Sequence, residues 1–180
     1  MKEKILAILA ALVVVASFTA PALANNVHIK RGPSFTDNGL TLTASGSLAG
    51  LGNTDILVIL SATANPTATC SNPSGANKPP GQNPAPVTVT GSESIPASAI
   101  KNGNVAFSVT TNPPSPNPIP GAPDCPGSSW TETITDMSFT SATITVQQPV
   151  GTVVLVDTCT FSPSTANGAV PASSVTCKVT

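Results

Sequence analysis

Between Ser129 and Phe161 the chain reads SWTETITDMSFTSATITVQQPVGTVVLVDTCTF, and apolar and polar positions alternate with little interruption. In an extended backbone Trp130 and Ile134 share a face, and Ile144 and Val146 repeat the parity. Val153, Val154, Leu155 and Val156 form an apolar block that ends at Asp157. Thr fills many of the remaining positions. β-Branched residues at period two are strand material. The stretch therefore predicts the strands around which the rest of the chain is organised, with Trp130 packed in their core.

Shorter pieces repeat the pattern. Asn25 to Arg31 is a strand candidate with Val27 and Ile29 on one face, stopped by Gly32 and Pro33. Asp37-Asn38-Gly39 signals a turn. Leu40 to Ala44 alternates with threonine and extends toward Leu48 or Leu51. Thr54 to Ala64 holds the run Ile56 to Leu60, which predicts a central strand, either buried on both sides or near a barrel-like closure. Val87 to Thr90, Val105 to Thr110 and Ser173 to Val179 complete the set. Ser94 to Ile100 reads as one helical turn. Its echo, Val170 to Val175, fits either a second such turn or chance. With eight or nine short strands and no long amphipathic helix after residue 24, the expected fold is all-β. It is an antiparallel β-sandwich, immunoglobulin-like or jelly-roll-like, formed by residues 25–180 as one domain.

Proline sets two stretches apart. Asn65 to Pro86 contains six prolines and Asn112 to Pro126 seven. Both are expected as long surface loops, the second with polyproline II segments.

The first 24 residues have a different character. Lys2 and Lys4 precede an apolar run from Ile5 to Phe18, and Ala22 and Ala24 stand where a signal peptidase cuts. Residues 1–24 are expected to be a cleaved secretory signal. The product is then secreted, extracellular or cell-surface associated, with no membrane span of its own. From residue 25 onward five bases face seven acids, a net charge of −2. Such sparse charge makes nucleic acid a poor partner. Thr and Ser supply 42 of these 156 residues. They offer a hydroxyl-rich surface and many acceptors for O-linked glycans. Thr67, Thr69, Ser74 and Ser115 are the candidates in the Pro-rich segments. The sequons Asn65-Pro-Thr and Asn72-Pro-Ser are blocked by proline.

Four cysteines in an oxidising compartment imply disulfides. Of the three possible pairings, Cys70 with Cys125 and Cys159 with Cys177 is favoured. The second pair joins the last two strand candidates across 18 positions, worth about 3 kcal/mol by loop closure. The first closes the two Pro-rich segments against each other. The spacing lacks the close Cys pair of a zinc site, and no metal or other cofactor is expected.

Catalytic groups are scarce. His28 is the one imidazole, and no nucleophile elbow accompanies it. Among the acids only Glu132 and Asp136 fall close together on one strand. Neither pattern makes an active site, and an enzyme is not expected.

Three segments carry a resemblance: GLTLTASGSLAGLGNTDI (Gly39 to Ile56), TATC ending at Cys70, and DTCTFSP (Asp157 to Pro163) followed by Cys177. The chain resembles small secreted bacterial β-sandwich proteins of largely uncharacterised function, which are similar to subunits of glycosylated extracellular fibrils. The resemblance implies stacked sandwiches joined by a terminal strand, here Asn25 to Arg31 with Val27 and Ile29, forming a homopolymer. The rival expectation is a monomeric secreted adhesion or carbohydrate-matrix binding module.

Overall fold

The computed structural model of the protein describes residues 26–81 and 84–180. The signal peptide expected over 1–24 lies outside them. The described chain forms two antiparallel sheets packed face to face, the expected β-sandwich. The first sheet contains β1 (His28–Asp37), β2 (Leu42–Ala49), β6 (Val105–Thr110) and the two-residue β9 (Gly168–Ala169), in the order β6-β2-β1-β9. The second is built on two long strands, β3 (Ile56–Ser71) and β7 (Thr131–Gln147). β8 (Val153–Phe161) and β10 (Val175–Val179) continue it beyond β7. β5 (Val87–Ile95) and the two-residue β4 (Asn77–Lys78) pair with the other side of β3.

Alternation builds the core. Every second residue of β3 from Ile56 to Ala64 is buried and faces Leu42, Ala44, Leu48 and Phe107 across the sandwich. The outward residues Leu57 and Ile59 are half-buried, so β3 is central but not buried on both faces. Phe35 on β1 meets Phe161 on β8 edge to face, ring centroids 5.0 Å apart, tying the two sheets together.

In β7 the inward parity changes twice. Glu132 and Ile134 are buried, then Met137 and Phe139, then Ala142, Ile144 and Val146. The ladder to β3 slips by one residue at Thr135 and again at Thr140. At each slip the bulged threonine turns its hydroxyl back to β3: Thr135 Oγ1 donates to Thr67 O and Thr140 Oγ1 to Thr63 O, both at 3.2 Å. The side chain thus reaches the partner strand where the regular ladder is interrupted. Trp130 lies just before β7 and is only half-buried, outside the core, where its N–H closes a turn on Gly127 O. The expected core tryptophan is corrected accordingly. Met137 and Phe139 fill the core instead.

β1 is also bulged. Gly32 and Pro33 do not end it, because extra residues between Ile29 and Ser34 are absorbed as two register shifts against β2. Gly32 takes φ +85°, a region closed to most side chains. On β3, Pro66 falls beyond Ala64, where β5 has stopped pairing, so its missing N–H interrupts no ladder on that side. The 3₁₀ turns Ala97–Ala99 and Ala172–Ser174 each follow a proline, so the two echoing segments share a conformation.

The sheets meet most closely where β5 passes β6. There Gly91 lies against the backbone of Thr110 and Thr111. The connection from β8 to β10 is not a loose loop. Thr165 is buried in it. Its Oγ1 donates to Asp37 Oδ2 on β1 and accepts the N–H of Phe139 on β7 at 2.8 Å. β9 then pairs with Thr36 and Asp37 before the chain returns to the second sheet.

Candidate functional site

The expected joining strand lies in its own domain. His28 and Ile29 pair with Ala49 and Leu48, and Val27 and Ile29 are half-buried against the core. On its other side β1 meets β9 only at Thr36 and Asp37, and Phe35 O accepts the N–H of Val170. From His28 to Ser34 no strand among the described residues covers that edge. The two bulges and the exposed Lys30 and Arg31 blunt it, as charges and irregularities commonly do at free edges. A second incomplete edge lies on β8, whose ladder to β10 runs from Phe161 to Asp157. Val150 and Val153 near the start of β8, and Val179 on β10, are the exposed large apolar side chains among the described residues.

Both expected disulfides are formed. Cys159 and Cys177 are directly opposite each other on β8 and β10. Cys70 lies at the end of β3, not in a loop, and its bond to Cys125 pins the second Pro-rich segment over the far end of β3 and β7. That segment is well tied. Ile119 N–H donates to Glu132 O at 2.7 Å, and Asn117 both donates to Ile134 O and accepts its N–H. The first segment joins it where Gly81 N–H donates to Asp124 O. Together they form an apolar groove of about 350 Å³ lined by Pro84, Pro114, Pro116, Ile119 and Ile134.

The four candidate glycan acceptors divide between two settings. Thr67 and Thr69 lie on β3, because that strand runs on to Ser71, through the start of the segment that the prolines suggest is loop. Thr67 is exposed and Thr69 half-buried. Ser74 and Ser115 are exposed in loops; Ser74 Oγ donates to Asn72 Oδ1, and Ser115 lies on the rim of the apolar groove.

The carboxylates are mostly committed inside the fold. Glu132 is fully buried; its Oε2 accepts the N–H of Asp124 at 3.3 Å and its Oε1 has no partner. Asp136 is turned elsewhere by the bulge at Thr135, so the two are not brought together. Asp136 instead neighbours the buried Asp37, whose oxygens accept from Thr165 and from the Gly39 N–H. Burial pushes the Asp37 carboxyl above its ordinary range, against the lowering effect of those two bonds and with a further push from Asp136. Burial also raises Asp157, which lies on the inner face of β8. Cys159 Sγ is 4.0 Å from Asp157 Oδ2, but a disulfide sulfur has no proton to donate, and Oδ1 is unpartnered. Asp157, Cys159 and Cys177 cluster tightly enough to suggest metal ligands, yet both sulfurs are held in the disulfide and supply no thiolate. His28 is exposed, and its Nδ1–H donates to Asn26 O.

The raised carboxyls give a pH signature. A folded-state pKa above the unfolded value means that the penalty is absent below the ordinary carboxylate pKa near 3.8 and grows as pH rises through the folded value. Asp157→Asn is therefore expected to raise stability at pH 7 by on the order of 1 kcal/mol, with the gain shrinking toward pH 4. Urea denaturation at the two pH values measures this. An equal or lower midpoint for the variant at pH 7 would contradict the assignment.

The chain matches no protein-family model, no curated protein and no solved structure. Among the described residues no helix is long and apolar enough to cross a membrane. Sequence reasoning missed the groove beside β1, β2 and β6 that Lys30, Arg31 and Lys101 line. Its signal is weak, because the cations are 70 positions apart in the chain.

Proposed function

We propose that this protein is a non-enzymatic structural subunit of an extracellular fibril or surface matrix, carrying O-linked glycans and joined to its copies by strand addition. The observation that supports this is the uncovered edge of β1 from His28 to Ser34, on a sandwich braced by two disulfides. An open edge is a template for a further strand, and the bulges and charges of this one restrict which strand can pair there. In this reading β1 stays in its own sheet and the neighbour adds to it. Withdrawing Val27 and Ile29 from their half-buried places would cost roughly 1 kcal/mol each, and the pairing with Leu48 and Ala49 besides. The disulfides fit an oxidising compartment.

The seat of β1 within its own domain also favours the second reading, a monomeric secreted adhesion or matrix-binding module. Electron microscopy and light scattering of protein secreted by its native cells decide between the two. Filaments with an axial repeat of one sandwich are expected, with hexose mass increments on peptides containing Thr67, Thr69, Ser74 or Ser115. Discrete particles at every concentration would reject the fibril and leave the matrix module.

A further inference from the structure

We propose that the groove lined by Lys30, Arg31 and Lys101 binds an acidic polysaccharide through its carboxylates. Regular alternation would send Lys30 and Arg31 to opposite faces of β1. The register shift between Ile29 and Arg31 makes Lys30 the extra residue, and both side chains then line one groove of about 650 Å³. Lys101 arrives from the tight turn before β6. There Asn102 and Gly103 take φ of 51° and 72°, and Lys101 and Asn104 exchange both backbone hydrogen bonds at 2.9 Å. Lys30 Nζ donates to Asn104 Oδ1 at 2.9 Å and so fixes this turn against β1.

The groove concentrates charge that the rest of the surface lacks. Of the five bases after residue 25, three lie here, and all three are exposed. None forms an ion pair among the described residues. Lys101 Nζ donates to Ser98 O, and among the described residues the Arg31 guanidinium has no hydrogen-bond or ion-pair partner. A guanidinium is a planar fork that matches a carboxylate. Across the ladder from Arg31 lies Ser47, whose buried hydroxyl is also unpartnered. Asn104, whose amide is held by Lys30 and by Asn102 O, is a neutral polar residue of the lining, and Val105 and Ala106 supply an aliphatic wall. Charges separated by hydroxyl-compatible groups suit a sugar chain that bears a carboxylate on some of its rings.

Other anions fit less well. A second copy of this chain offers a weaker match among the described residues: Asp37, Glu132 and Asp157 are buried, Asp124 and Asp136 are half-buried, and Asp55 and Glu93 each already accept a backbone N–H, from Ala97 and Ser108. Nucleic acid would need a longer track of cations, and the remaining bases, Lys78 and Lys178, belong to the other sheet. The site does not depend on polymerisation, so its test can use the monomeric protein.

The probe is polygalacturonate, titrated by calorimetry at 50 mM and 200 mM salt beside neutral dextran, dextran sulfate and duplex DNA. Polygalacturonate is expected to bind, and to weaken at least tenfold at the higher salt, while neutral dextran does not bind. Lys30→Gln/Arg31→Gln/Lys101→Gln should lose at least tenfold in affinity, and Lys78→Gln/Lys178→Gln should keep it. Arg31→Lys, which retains charge but not the fork, should fall between. Circular dichroism confirms that each variant is folded. Absence of binding, or full affinity in the triple variant, overturns the site. Tighter binding of dextran sulfate overturns the carboxylate assignment, and tighter binding of DNA overturns the saccharide.

Discussion

Gly91→Ala is expected to destabilise the sandwich by roughly 3 kcal/mol or more, although it adds a single methyl group. An added Cβ would lie 1.9 Å from Thr110 O, 2.7 Å from its carbonyl carbon and 2.8 Å from the Cα of Thr111. All three are backbone atoms, so no rotamer can relieve the clash. One strand must move away from the other. The seam that would open is held by Asn112, whose backbone N–H and side-chain Nδ2 both donate to Thr90 O, at 2.8 and 3.0 Å. Val89 and Val109, which are buried on either side of it, would then lose packing. Gly127→Ala is the control. Its Cβ meets only the Trp130 ring, at 3.7 Å, an ordinary contact. Thermal and urea unfolding of the two variants should differ by several kcal/mol or separate a folded protein from an unfolded one. Equal midpoints would mean that the sheets do not approach as closely at this corner as described.

Cys70→Ala/Cys125→Ala is expected to cost about 4 kcal/mol, more than the roughly 3 kcal/mol for Cys159→Ala/Cys177→Ala. The order follows from the closed loops, 55 positions against 18. The two losses also differ in kind. Cys159 and Cys177 join strands already paired from Val175 to Val179, so that ladder remains when the bond is gone. Cys125 belongs to a segment with no long ladder of its own. Without the bond, the cover over the buried Glu132 and Ile134 depends on Ile119, Asn117 and Asp124. Amide exchange at Ile119 and Ile134 should therefore accelerate in the first variant and stay slow in the second. A loss under 1 kcal/mol with unchanged exchange would show that the Pro-rich segment holds itself in place.

The strands were legible because their alternation is local. Val105 to Thr110 was bounded correctly by its own pattern, and the pairing of the cysteines followed from which segments could meet. What remained hidden depends on partners far away in the chain. The end of β3 was misplaced because Asn65, Pro66 and Thr67 read as loop residues, whereas β7 opposite them supplies a ladder. Gly32 and Pro33 read as a stop for the same reason: a bulge against β2 can absorb them, and the local sequence does not show β2. Trp130 reads as a core residue because a chain without Tyr lacks the companion aromatics of a sugar-stacking face, but β7 starts one residue after it and leaves it half-buried outside the core. The candidate surfaces were less legible still. Val27 and Ile29 were recognised as an apolar face, but not which sheet they would join. The basic groove requires Lys30, Arg31 and Lys101 to be placed by a bulge and a turn, neither of which leaves a periodic trace.

The two threonine bulges of β7 give the strand something like punctuation in a reading frame. Thr135 and Thr140 are the residues with no opposite number on β3, so each is surplus to the alternation that fills the core. Losing either one would merge its flanks into an ordinary ladder and leave Ile134, Met137, Phe139 and Ala142 facing inward. Losing Ser138 would instead put every residue on one side of the gap out of phase. The strand therefore has two places where its length can drift over generations, and long intervals between them where it cannot.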